Sequence, residues 1–317
     1  MPVPPVSSFT PPAFIPPDGL PAGARLLAAL LGLLPAAAAA AAGTTSGPGV
    51  TGTTRVIAQT GDAAPDGNGS FAGFFVRAAY TNSIGLNDLG QVAFRAELTG
   101  TVDEDVDWIG IFRGDGSAQP VQIARGGQGA HDGNGTFFFF GSPALNSSGQ
   151  TAFLGNLFDT TGGSTDDEGI FRGDGSAALV QIVRAGQAAP DGNGIFLDFG
   201  ADIALNDAGQ AAFTAFLTDT SGGSADDLGI YLYDDGLGLL QVAREGDAFL
   251  GSMITELFFS PGFSQQDEGS GLNNLGLVAY SYRLADGRSG VAIWSIPEPA
   301  SAAWLLAAFG RLARRRA

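Results

Sequence analysis

The chain has 317 residues, no cysteine, forty-nine glycines, two methionines and a formal net charge of −17. The absence of cysteine excludes a disulfide framework and a thiolate metal site. A field of that sign makes nucleic acid and anionic membranes poor partners and divalent cations natural ones, while the glycine content favours strands and turns over helices.

In chain order, Arg25 precedes the apolar run LLAALLGLLPAAAAAAA, which ends in the small residues Ala40, Ala41 and Ala42. This predicts a cleaved secretory signal peptide over residues 1–42, with Ala40 and Ala42 forming an A-x-A cleavage site. Residues 43–296 are the body, long enough for one sizeable core. Without Arg25, the four tail arginines, Asp18 and Glu298, it holds ten basic residues against thirty acids, a net charge of −20.

The body repeats itself. GLNDLGQVAF (85–94), ALNSSGQTAF (144–153), ALNDAGQAAF (204–213) and GLNNLGLVAY (271–280) are one phrase written four times. Its asparagines are Asn87, Asn146, Asn206 and Asn273, followed by Gly90, Gly149, Gly209 and Gly276. A second phrase follows each copy as WIGIFRGDG, EGIFRGDG, LGIYLYDDG and a degenerate SGVAIWS. A third, VIAQTGDAAPDGNG, recurs twice in altered form. Repetition at about sixty residues predicts four copies of one supersecondary unit, roughly 56–120, 121–179, 180–239 and 240–296.

Each unit reads as about four antiparallel strands. Asn-x-x-Gly is a turn. The Ala-Phe that follows alternates into a strand, Gly-Ile-Phe is a second strand ended by a Gly-Asp-Gly hairpin, and Val-Gln-Ile-Ala-Arg is a third. A short strand precedes the Asn. Four antiparallel strands per unit predict an all-β four-bladed propeller; an open β-solenoid is the alternative. Closure is expected from Val56–Gln59 pairing with Gly290–Trp294 across the two ends of the body.

The repeats carry oxygen ligands. Asp66 and Asn68, Asp132 and Asn134, and Asp191 and Asn193 offer donors at alternate positions, as in the first half of a calcium loop. The acidic stretches Asp103–Asp105, Asp166–Glu168 and Asp226–Asp227 are alternate connections in a meander and are expected on the same end of each unit. Calcium is therefore the one candidate cofactor. The plain reading is a turn with solubilising acids. Catalysis is not expected: the single histidine, His131, stands where sister repeats have Pro65 and Pro190, and the acids recur with the repeat.

The tail, IPEPASAAWLLAAFGRLARRRA, places a Pro-Glu-Pro triplet (Pro297, Glu298, Pro299) before a short apolar helix and an arginine-rich end (Arg314, Arg315, Arg316). As a helix, residues 300–313 would span roughly 21 Å, short of the ~30 Å hydrocarbon core. The arginines would stay cytoplasmic.

This three-part tail over 297–317 resembles the PEP-CTERM sorting signal of Gram-negative bacteria. The resemblance implies an exosortase-like transpeptidase of the inner membrane as partner, and a transient membrane anchor preceding release to the cell surface or matrix. The four phrases resemble the tandem NxxGxxAF repeat family, which is defined by its repeat rather than by an activity; the fourth copy departs as Ala279-Tyr280. The combined expectation is an exported, non-catalytic surface or biofilm-matrix protein among exopolysaccharide. The alternative is a calcium-dependent glycan- or protein-binding module.

Overall fold

The computed structural model describes residues 42–47, 50–74, 84–176, 179–260 and 271–296. The chain divides into two units, 1–39 and 40–317, and all described residues belong to the second. Its fold is all-β.

An N-terminal hairpin pairs β1 (Ala42–Gly47) with β2 (Val50–Arg55). Four antiparallel sheets follow. Sheet one holds β3 (Ser70–Gly73), β4 (Gly85–Leu86), β5 (Val92–Thr99), β6 (Ile109–Gly114) and β7 (Val121–Arg125). Sheet two holds β8 (Thr136–Phe140), β9 (Ala144–Leu145), β10 (Thr151–Phe158), β11 (Glu168–Gly173) and β12 (Val180–Arg184). Sheet three holds β13 (Ile195–Leu205), β14 (Ala211–Thr218), β15 (Leu228–Asp234) and β16 (Gly238–Arg244). Sheet four holds β17 (Ala248–Phe249), β18 (Ser252–Phe258), β19 (Val278–Leu284) and β20 (Ser289–Trp294). Sheets one to three thus begin after the Asp-Gly-Asn-Gly turn and end on the Val-Gln-Ile-Ala-Arg strand, out of phase with the expected unit boundaries.

The Asn-x-x-Gly phrase works as expected, but through the asparagine side chain. Asn146 Oδ1 accepts from the Gln150 amide at 2.8 Å and its Nδ2 donates to Gln150 Oε1 at 3.0 Å, closing its own turn. Gly149 and Gly209 take the positive φ the turn needs. The same Nδ2 reaches the next repeat, donating to the Asn206 carbonyl at 2.8 Å. Asn87 does this to Asn146 at 2.9 Å, and Asn206 to Asn273 at 2.9 Å. The motif asparagines therefore form a hydrogen-bonded spine along the repeats. Arg113 and Arg172, from the Gly-Ile-Phe-Arg-Gly phrase, add bonds to the Gly149 and Gly209 carbonyls of the following sheet.

Between sheets the core is built from the Ala-Phe and Gly-Ile-Phe phrases. Ile109, Ile111 and Ile123 of sheet one meet Phe137, Phe153 and Phe171 of sheet two, all buried. Equivalent clusters join sheet two to three and three to four. Within sheets two and three, one aromatic stands edge-on to another: Phe137 to Phe171 at 4.8 Å, Phe196 to Tyr231 at 4.9 Å. The glycine of Gly-Ile-Phe is required for this. A Cβ on Gly169 would stand 2.8 Å from the Val183 carbonyl oxygen and 3.1 Å from the Phe171 ring.

Two expectations are corrected. Val56–Gln59 forms no strand with β20, which pairs only with β19, so the expected closure is not made among the described residues. The expected C-terminal helix, and the membrane-anchored localisation built on it, are not supported: no helix among the described residues is long and apolar enough to cross a membrane. The helical pieces described are two single 3-10 turns, Gly163–Thr165 and Gly223–Ala225. Residues 297–317, with Pro297, Glu298, Pro299 and Arg314–Arg316, and Ala40 at the other end, lie outside the described residues. Ala42 is the first residue of β1.

Candidate functional site

The Asp-x-Asn loops do lie on the same end of each sheet as the acidic connections, and they touch. Asn68 Nδ2 donates to Asp107 at 2.6 Å, Asn134 to Asp166 at 2.8 Å and Asn193 to Asp226 at 2.9 Å. Each loop also holds a buried arginine. Arg184 donates from Nε to the Asp166 carbonyl at 2.6 Å, from Nη1 to Asp132 at 3.1 Å and from Nη2 to the Asn134 carbonyl at 2.6 Å. Arg125 makes the same set with Asp107, Asp66 and Asn68, and Arg244 with Asp226, Asp191 and Asn193.

The guanidinium thus brings a cation to the loop and takes the aspartate oxygens that the calcium reading assigns, while the Asn68, Asn134 and Asn193 Oδ1 atoms accept from the Val102, Thr161 and Ser221 amides. Asp132 and Asp191 each spend a carboxylate oxygen on it, as Asp66 does. No group of three or more metal-ligating side chains occurs among the described residues. Asp226 is held below the usual carboxylate range by hydrogen bonds from the Thr220 hydroxyl and Asn193, against burial. For Asp166 burial is the largest influence and pushes upward, yet Thr160, Asn134 and the Gly162 amide together outweigh it. These clasps tie the first turn of sheets one, two and three to the last strand of the same sheet. His131 is an exposed loop residue beside one of them.

A second acidic arrangement breaks the repeat. By register, Glu168 opens β11 where sheet one has Ile109 and sheet three has Leu228. Asp198 on β13 stands where sheet two has Phe139. Between sheets one and two those positions are apolar, Ile109 beside Phe139 in one cluster. Between sheets two and three they are two carboxyls. Glu168 Oε2 accepts from Asn156 Nδ2 at 2.9 Å. The Phe199 amide lies 3.2 Å from Glu168 Oε1 and 2.6 Å from Asp198 Oδ1, so both acids share one donor.

The environment charges this pair with a proton near neutrality. Partial burial, then a hydrogen bond and repulsion from Asp198, raise Glu168 to about 7, against smaller help from Asn156 and the Phe199 amide. Glu168 is half-buried while Asp198 is exposed, so the pair faces solvent. Glu245, at the sheet three–four junction, is raised more modestly by burial, Asp227 and Glu256. Two residues beyond Asn156 on β10, Phe158 lies edge-on to Phe138, a ring 41% exposed.

Sequence reasoning counted Glu168 as the end of an acidic loop and did not single out Asp198. The available signal was the departure of Glu-Gly-Ile-Phe from Ile-Gly-Ile-Phe and Leu-Gly-Ile-Tyr at one strand position.

A family model for a family of unknown function (DUF7453) matches residues 38–303. No curated protein matches. Among solved structures, an α-L-arabinanase from Penicillium chrysogenum complexed with arabinobiose is 12% identical, with 77% of this chain and 68% of that chain covered at a TM-score of 0.36. An endo-arabinase from Bacteroides thetaiotaomicron is 12% identical over 73% of this chain and 82% of that one, at 0.31. A family 117 glycoside hydrolase from Zobellia galactanivorans is 12% identical over 81% and 75%, at 0.33. The solved structures that the chain resembles are enzymes, where a non-catalytic matrix protein was expected. At these TM-scores the likeness assigns no residue here, and any activity has to be read from the chain's own side chains.

Proposed function

The chain belongs to the family of unknown function DUF7453, and on that footing we propose that it is a carbohydrate-active protein in which Glu168 is the proton donor. The single observation that carries this is the Glu168–Asp198 pair: two carboxyls replace apolar partners at one inter-sheet position, and one of them is raised to about 7. A general acid works best when its pKa lies near the working pH.

A sugar chain is the substrate class that uses what surrounds the pair. Its ring faces stack on aromatic side chains, here the Phe138–Phe158 edge, and its glycosidic oxygen accepts the proton held by Glu168. Asn156 and the Phe199 amide hold the Glu168 carboxyl in place. Burial first, and then the hydrogen bond and like charge of Asp198, keep it protonated. Hydrogen-bonded carboxyls stand closer than the ~6.5–9.5 Å of inverting glycosidase pairs, so exposed Asp198 serves as the partner base only when turned away from Glu168, taking a proton from the water that replaces the leaving sugar at the anomeric carbon. The four sheets are read as propeller-type blades in a ring left open between sheet four and sheet one among the described residues: each is an antiparallel meander whose last strand leads directly to the first strand of the next.

The test is release of reducing ends from a panel of plant and microbial polysaccharides. The intact chain should act on at least one. Glu168→Gln should lower the rate ~100-fold or more, the scale of lost general acid catalysis. Glu256→Gln, on β18 of sheet four, should leave it unchanged. Release by the Glu168→Gln variant at the original rate, or by no form on any polymer, rejects the assignment.

A further inference from the structure

We propose that sheet four docks against the sheet-one end of a second copy of this chain, with β20 pairing to residues 56–59 of that copy.

The argument rests on an interface the chain already makes three times. Residues 56–59 are placed like the last strand of a sheet. The Gly61 amide donates to the Phe71 carbonyl and the Asp62 amide to the Gln59 carbonyl, as Gly127 does to Phe137 and Gln128 to Arg125. Gln59 therefore matches Arg125, Ala58 matches Ala124, and Ile57 matches Ile123. Ile57 and Ala58 pack on sheet one's aromatic cluster, as Ile123 packs on sheet two's. Among the described residues this segment has the place of a fourth strand and pairs with no sheet.

Sheet four has the opposite deficit. β20 corresponds to β6, β11 and β15, each of which is flanked by a further strand, β7, β12 or β16. Among the described residues β20 has none. Val291 holds the register position of Ile111, Ile170 and Ile230, which the following sheet buries to 0–1% exposure. Val291 is 77% exposed, Ile293 on the same face is 70% exposed, and Phe258 across from them is 67% exposed. At the other end Ile57, Ala58, Phe74, Val92 and Phe94 line an apolar groove of about 330 Å³.

Among the described residues, sheet four has no last strand and no following sheet, while sheet one is preceded by an unpaired last strand and an apolar groove. A second copy supplies both at once. The register of β6 on β7, carried over to the new pair, places Val291 opposite Ala58 and Ile293 opposite Arg55. The contact is head-to-tail, so it extends into a series of copies unless rotation closes it.

The test is sedimentation velocity over a wide concentration range, together with cysteine pairing, which the cysteine-free chain makes clean. The intact chain should gain mass with concentration, and Val291→Asp should weaken that gain at least tenfold with an unchanged melt. A mixture of Val291→Cys and Ala58→Cys chains should form an intermolecular disulfide. A chain that stays monomeric throughout, a Val291→Asp variant that associates as before, or a chain bearing both cysteines that links only to itself overturns the proposal.

Discussion

Val291 and Ile170 occupy the same register position on corresponding strands, yet Ile170 is fully buried and Val291 is 77% exposed. The difference lies in the neighbour rather than in the residue. Ile170 is covered by sheet three, whereas sheet four has no following sheet among the described residues. Repetition copies a strand's apolar face without supplying its partner, and a stack of repeats always has two ends to satisfy.

The arginine clasps are the first point of test. Arg184 is buried and satisfies the Asp166 and Asn134 carbonyls as well as Asp132. Arg184→Met should cost about 2–4 kcal/mol in urea unfolding, because those buried acceptors lose their donor. Added calcium should not restore it. Restoration by calcium would return the loops to the metal reading.

The asparagine spine makes a graded prediction. Asn146 closes its own turn and also bonds Asn206, whereas Asn273 closes its turn and meets no further repeat among the described residues. Asn146→Ala should therefore destabilise by about 1 kcal/mol more than Asn273→Ala, the worth of one buried hydrogen bond. Equal losses would mean that the inter-repeat bond contributes nothing.

Stability should depend on pH through Glu168. Its folded-state value, about 7, lies above the ordinary 4.5, so the folded chain retains a proton that the unfolded chain releases between those values. The resulting stabilisation is full below the ordinary value and is lost as pH rises through about 7. Glu168→Gln cannot ionise. It should match the parent chain near pH 4.5 and melt several degrees above it at pH 8. A constant offset at all pH values would contradict this.

Much of the fold was legible because the repeat phrase carries its own physics. Asn146, Gly149 and Phe153 announce a turn, a positive φ and a core residue in ten positions, and the structure uses each in that way. The phase of the sheets was harder to read, since β3 and β8 lie in stretches where phenylalanine and glycine replace a clear alternation. The arginines were missed because their partners come from distant turns: Arg184 and Asp132 are 52 residues apart, in loops that meet only once the sheet forms. The Glu168–Asp198 pair was hidden for a related reason, being formed by two sheets at positions that each look like local variation.

The most direct measurement is an NMR titration of the Glu168 side-chain carboxyl in the intact chain, repeated in Asp198→Asn. A midpoint near 7 that falls toward the ordinary carboxylate value when the Asp198 charge is removed is the expected result. A midpoint near 4.5 in the intact chain, unchanged by Asp198→Asn, would contradict a proton shared by this pair and with it the proposed role of Glu168.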